Sequence, residues 1–129
     1  MTKFTVEGKP QPKERPRKAK NGKFYTPKKT QDYESLVGWI ARSAYKRIPS
    51  EKPISVRLDI YFKLPQRTSE IEGAYCMKNI DIDNITKSVL DACNGIVYVD
   101  DKQVVKTIVG KYWSKNPRIE VEIKEVQNE

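Results

Sequence analysis

Five of the seven aspartates in this chain, Asp81, Asp83, Asp91, Asp100 and Asp101, fall within 21 residues, and the chain has no histidine. Carboxylates repel one another, so gathering them is costly unless something positive sits among them, most commonly a hard divalent cation held by oxygen ligands. The window opens Lys78-Asn79-Ile80-Asp81-Ile82-Asp83-Asn84-Ile85-Thr86-Lys87. If the backbone there is extended, Asp81 and Asp83 project to the same side and two carboxylates converge. Lys87 follows one helical turn later, within reach of those carboxylates or of a bound phosphate. Asp91 falls in the middle of the next apolar pattern, where pairing with a nearby cation suits it better than ligation. Asp100 and Asp101 stand together after a short apolar run, and aspartate at such a turn also serves local hydrogen bonding.

Spacing discriminates among metal chemistries. An EF-hand loop needs further oxygen ligands and a glycine where Ile85 and Thr86 stand, and no phosphate-cradling glycine loop occurs. The absence of histidine removes histidine-dependent nucleases and Ser-His triads, and leaves Cys76 and Cys93 too few for a four-ligand zinc site or a disulfide framework. Carboxylates holding Mg²⁺, which lowers the pKa of bound water and neutralises charge on a phosphoryl transition state, are the natural alternative, with a lysine offsetting the remaining charge. Phosphodiester hydrolysis is the reaction this predicts.

The elements that must position these groups read as α+β. Lys3 to Glu7 suits a strand, the Pro- and Lys-rich stretch through Gly22 a loop, and Lys23 to Thr26 a short return strand. Tyr33, Leu36, Val37, Ile40, Ala41, Ala44 and Ile48 recur at helical spacing. Ile54 to Phe62 alternates strictly, as a strand with one buried face does, and residues 64 to 79 read as an irregular loop. A second helix is expected from Asp83 or Asn84, both good N-caps, with Ile85, Val89, Ala92 and Cys93 inward and a stop at Asn94-Gly95. A strand at Ile96 to Val99 then delivers the Asp100-Asp101 pair, and strands at Val104 to Trp113 and Arg118 to Val126 finish a mixed sheet of about five or six strands packed with two main helices.

Charge is unevenly spread. Residues 1 to 30 carry ten Lys/Arg against two acids, whereas the rest of the chain balances fifteen against fifteen. So concentrated a positive field suits a polyphosphate, and Pro10, Pro12 and Pro16 stiffen the run into an arm that can lie along a nucleic-acid backbone through Lys13, Arg15, Arg17 and Lys18. The alternative is a solvated loop whose charge serves solubility. Phe24 and Tyr25, beside the arm, suit either base stacking or packing of the first strand pair. At 129 residues the chain is expected to be one domain. Few cysteines, no signal-peptide pattern at Met1 to Gly8 and no bilayer-length apolar run predict a cytoplasmic protein that does not engage membranes.

The stretch Asp81-Ile82-Asp83-Asn84-Ile85-Thr86-Lys87, then Asp91-Ala92-Cys93-Asn94-Gly95 and Asp100-Asp101-Lys102-Gln103-Val104, closely resembles the RusA-type crossover-junction endodeoxyribonucleases. The opening Gly8-Lys9-Pro10-Gln11-Pro12-Lys13-Glu14-Arg15-Pro16-Arg17 is similar to that of phage and prophage members, and the resemblance spans nearly the whole chain. It implies a homodimeric, Mg²⁺-dependent enzyme, with Mn²⁺ as the alternative metal and no small-molecule cofactor, that resolves Holliday junctions in DNA recombination and repair by paired nicks. Two-fold protein symmetry would match two-fold junction symmetry. Carried over by residue, the resemblance implies Asp81, Asp83 and Asp101 as metal ligands, with Asp100 as a supporting candidate, and Lys87 as the catalytic lysine. Two other classes stay open: a branched-DNA-binding module without catalysis, and a metal-dependent nuclease for other branched DNA.

Overall fold

Alternation of apolar and polar residues builds the main sheet. The computed structural model describes residues 1–127. Strand β1 (Thr2–Glu7) buries Thr2, Phe4 and Val6, and it pairs antiparallel with β6 (Arg118–Glu125), which sets Phe4 opposite Val121. The central strand β4 (Ile54–Lys63) runs antiparallel to β6 and parallel to β5 (Val104–Ser114), giving the order β1-β6-β4-β5. Val56, Leu58, Ile60 and Phe62 point inward with Ile119, Val121 and Ile123. Arg57, Asp59, Glu120 and Glu122, which alternate with them, face the other way.

Helices α1 (Lys28–Tyr45) and α2 (Ile82–Cys93) cover the inward side, against each other, with α1 on β1 and α2 on β5. The buried stripe of α1 is Thr30, Tyr33, Val37, Gly38 and Ala41. Leu36, Ala44 and Ile48 are exposed, contrary to the face read from the sequence: Leu36 and Ala44 lie off the buried stripe of α1, and Ile48 lies beyond the helix, which closes at Tyr45 with Lys46 left-handed at φ 42°. In α2, Ile85, Val89, Ala92 and Cys93 turn inward as expected.

Among the described residues six strands form, but they are divided: a short hairpin of β2 (Arg17–Lys18) and β3 (Phe24–Tyr25) stands apart from the four-stranded sheet. The expected strand at Ile96 to Val99 is absent. The chain instead turns through Gly95 at φ 75°, and the Gly95 N–H donates to the Tyr98 carbonyl at 2.8 Å. Val97 and Tyr98 are buried beneath α2, where the Tyr98 hydroxyl donates to the Leu90 carbonyl at 2.6 Å. Four apolar residues bury equally well in a tight turn or a strand, and periodicity does not separate the two.

The unit β4-α2-β5 determines where the acids lie. Parallel neighbours joined by a helix require that helix to run back against them. The start of α2 therefore lies at the C-terminal ends of β4 and β5, and residues 94–103 lie at their N-terminal ends. Side-chain hydrogen bonds mark both ends. Lys111 Nζ, late in β5, donates to the carbonyls of Lys78 and Ile80 at 2.9 and 3.2 Å, and Gln103 Nε2 donates to those of Ser50 and Lys52 at 2.7 and 3.0 Å.

Candidate nuclease site and nucleic-acid interface

Asp81, rather than Asp83 or Asn84, is the N-cap of α2. Its backbone is extended, and its Oδ1 accepts the Asp83 N–H at 2.8 Å, satisfying one of the donors a helix start leaves free. The strand-like pairing of Asp81 with Asp83 read from the sequence does not form, because Asp83 already belongs to the first turn. The outcome is still two exposed carboxylates at one helix N-terminus, where the helix dipole favours negative charge. Lys87 is exposed on α2 four residues after Asp83, the spacing that puts two side chains on one helical face. Lys111, which the sequence reading passed over, fixes the approach to Asp81 through the Lys78 and Ile80 carbonyls. The only signal for it was a lysine in register with Val109 and Trp113, on the helix-facing side of β5.

Asp100 and Asp101 form a second acidic end. Asp100 caps a 3-10 turn at Asp101–Gln103 by accepting the Lys102 N–H at 2.9 Å, while its own N–H donates to Gln103 Oε1 at 2.9 Å, a reciprocal capping box. The Lys102 N–H outweighs slight desolvation and holds the Asp100 carboxyl below its ordinary range. Asp101 is half-buried in the first turn. Between the two ends in the chain lies α2, 12 residues or about 18 Å long, followed by the turn through Gly95. Among the described residues no three His, Cys, Asp or Glu side chains converge on a metal-sized site. Asp81 and Asp83 thus share one end of the helix, and Asp101 stands at the other.

Asp91 has a different task. It accepts an ion pair from Lys13 Nζ at 2.9 Å, and Glu34 of α1 accepts another at 2.5 Å. Burial disfavours the Lys13 charge, but hydrogen bonds to Glu34 and Asp91 outweigh it and raise the pKa above the ordinary 10.5. The Lys13 N–H also donates to the Asn84 carbonyl at 2.9 Å, and the Ser88 hydroxyl to the Gln11 carbonyl at 3.1 Å. The root of the basic arm is therefore laced to both helices, and Lys13 differs from the three cations grouped with it. Arg15, Arg17 and Lys18 are exposed, with Arg17 paired to Glu14 at 3.1 Å.

Past this root the arm becomes the β2-β3 hairpin, closed through Gly22 at φ 84°, where the Gly22 N–H donates to the Ala19 carbonyl. Arg17 stands opposite Tyr25 and Lys18 opposite Phe24, and both aromatic rings are exposed, Phe24 by 71%. Exposed rings interleaved with cations present a stacking surface beside a backbone-binding one. A hollow of about 580 Å³ between the end of α1 and Gly95-Ile96 has no carboxylate in its lining, and one of about 570 Å³ between α1 and α2 is lined by Glu34 and Asp91; Asp81, Asp83, Asp100 and Asp101 line neither. Cys76 and Cys93 are both free and buried, and burial pushes the Cys93 thiol up to about 12, which leaves it unreactive at neutral pH. No helix among the described residues is long and apolar enough to cross a membrane.

A family model described as endodeoxyribonuclease RusA matches residues 7–124, from the end of β1 to the end of β6. A Bacillus subtilis (strain 168) protein described as uncharacterized protein YqaN is 34% identical over 136 residues, covering 96% of this chain and 96% of its own length.

Proposed function

This chain belongs to the RusA family of endodeoxyribonucleases, and from that premise we propose that it resolves four-way DNA junctions by paired, symmetric nicks, as a Mg²⁺-dependent homodimer acting in recombination and repair. The observation that carries this reading is the pair of exposed carboxylates at the start of α2 with a lysine in helical register behind them. The donor chemistry fits the metal: Asp81, Asp83 and Asp101 offer only carboxylate oxygens, histidine is absent, and both thiols are buried. The chemistry such a cation supplies when bound is Lewis acidity toward a scissile phosphate and its attacking water.

The remaining steps belong to the chain's own side chains. Asp81 keeps Oδ2 free while Oδ1 caps the helix, so the same rigid contact that starts α2 aims the second oxygen. Lys87 offsets negative charge on the phosphate, and Arg15, Arg17 and Lys18 hold the flanking backbone. Phe24 and Tyr25 stack on bases opened where strands exchange, which selects branched DNA over a continuous duplex. A second reading, a branched-DNA-binding module without catalysis, draws on the separation of Asp101 from Asp81 and Asp83 within one chain.

An end-labelled four-way junction beside linear duplex, with and without Mg²⁺, separates these readings. The wild-type protein is expected to place nicks on opposing strands of the junction only with Mg²⁺, and Asp81→Asn to bind the junction without cutting it. Asparagine is itself a good N-cap, so loss of cutting in that variant is not loss of the helix. Binding without any cutting by the wild type would replace the resolvase by the non-catalytic module, and equal cutting of duplex would replace it by a general nuclease.

A further inference from the structure

We propose that the second half of α1 carries a further DNA site, a groove that holds an unpaired strand, with Trp39 stacking on its bases and Arg42, Lys46 and Arg47 holding its phosphates. Binding there goes beyond the proposed nuclease function and does not depend on it. Residues 35–50 contain these three cations and no acid. All three are exposed, and among the described residues none of them enters an ion pair. Trp39, 70% exposed, precedes Arg42 by three residues and Lys46 by seven, so ring and cations share one face of the helix. A helix C-terminus favours a cation in its last turn, which accounts for Arg42. It does not account for Lys46 and Arg47 past the helix end, nor for an indole left in water.

The same residues line a concave surface. The hollow of about 580 Å³ at the end of α1 is lined by Arg42, Lys46 and Arg47 together with the apolar Ile48, Pro49 and Ile96. The Arg47 guanidinium rests 5.0 Å over the Tyr45 ring, which fixes it at the rim. Trp39 lines the hollow of about 570 Å³ between the helices, and the two hollows share Arg42 and Ile96, so they run together as one groove. The acids of that second hollow, Glu34 and Asp91, are both paired with Lys13. From Gln31 to Lys46 the groove follows about 22 Å of α1, roughly six nucleotides at the stacking rise. The lining selects the ligand. A duplex would offer only its backbone and leave Trp39 and Ile48, 86% exposed, in water, whereas an unpaired strand brings base faces to the ring and phosphates to the cations. Rings elsewhere lack this setting: Tyr61 and Tyr112, on the bare face of the sheet, stand with Asp59 and Glu120, whose charge repels a polyanion. Arg42 stands about 21 Å along α1 from Lys28, where the helix leaves the hairpin, so this strand is held apart from bases that meet Phe24 and Tyr25.

Trp39 is its own reporter. The hairpin rings can also take unpaired bases, so the quantity to read is tryptophan emission during titration with oligothymidylate in EDTA, where nothing is cut. Wild-type emission is expected to fall to a plateau. Trp39→Phe, which leaves only the partly buried Trp113, should not respond. Replacing Arg42, Lys46 and Arg47 together by alanine should move the midpoint of the quench at least about tenfold higher, and replacing Arg15, Arg17 and Lys18 less than about threefold. All of these positions are exposed, so the fold is kept. No quench in wild type, an equal quench in Trp39→Phe, or a midpoint that follows the hairpin cations and not those of α1 overturns the site. So does a Trp39 already shielded from acrylamide before DNA is added, because a protein surface then covers this face. With the strand uncut and metal absent, failure of the nuclease reading leaves a positive result standing, and a missing quench leaves the nuclease reading standing.

Discussion

The two ends of α2 carry the same residue type in matched roles and yet are built differently. At each end one aspartate caps, Asp81 accepting the Asp83 N–H and Asp100 the Lys102 N–H, and the next acid stands in the first turn that follows. The Asp81 end is open: both acids and Lys87 face solvent, and Lys111 braces only the backbone leading in. The Asp100 end is closed by a reciprocal capping box, two further bonds from Gln103, and a half-buried Asp101. Under the proposed function the open end is the one suited to receive a phosphate, whereas the closed end holds its carboxylate at a fixed place. Charge density alone does not distinguish them; what each carboxylate is already bonded to does.

The largest effects should follow that division. Asp83→Asn and Asp101→Asn are each expected to lower the nicking rate at least about 100-fold while leaving junction affinity within about threefold, because each removes charge that matters to the transition state rather than to binding. Asp100→Asn should lose no more than about tenfold, since asparagine can keep the cap. Single-turnover cleavage of a four-way junction measures all three. An Asp100→Asn variant more damaged than Asp101→Asn would reverse the assignment at the closed end.

Next in size is an effect on binding alone. Replacing Arg15, Arg17 and Lys18 by alanine should weaken junction binding roughly tenfold or more and lower the steepness of its salt dependence by up to about 0.9 for each phosphate no longer neutralised. Titrations across salt concentrations measure this, and an unchanged slope would remove the hairpin from the interface. Lys13 belongs on the other side of the line. Lys13→Ala should cost about 1 kcal/mol of folding stability through its pairs with Glu34 and Asp91. Because its folded pKa is raised, that contribution is complete below the ordinary 10.5 and is lost as pH climbs through the folded value. Denaturant unfolding of wild type and Lys13→Ala at pH 8 and above pH 11 should show the gap between them shrinking.

How far the sequence carried the reading follows from which forces are local. Alternation at Ile54 to Phe62 and the Tyr33, Val37, Ala41 spacing are local, and β4 and α1 form there. The Arg17–Lys18 strand has no apolar pattern; its pairing comes from the Gly22 turn and from Phe24–Tyr25 across it. Asp81 and Asp83 were legible as neighbours but not as cap and first turn, since an extended backbone and an N-cap look alike until the helix start is known. The separation of Asp101 was hidden for another reason. A short sequence window looks compact on paper, but a helix flanked by parallel strands sends its two ends to opposite ends of those strands. That consequence depends on strand direction, which no residue in the window announces.

The smallest expected effect tests the closed end without any chemistry. A carboxyl whose folded pKa is lowered adds stability above the unfolded carboxyl range and loses it as pH falls through the lowered value. Asp100 is such a group, held down chiefly by the Lys102 N–H. In Asp100→Asn the cap does not titrate, so the variant should match wild type near neutral pH and fall away less steeply on acidification. Denaturant midpoints of the two proteins between pH 2 and pH 7 show this as curves that coincide at the top and separate in acid, with wild type the lower. If the curves stay parallel throughout, protonation of Asp100 does not disturb the turn. The rigidity of the closed end must then come from Gln103 and its bonds to Ser50 and Lys52 rather than from the cap.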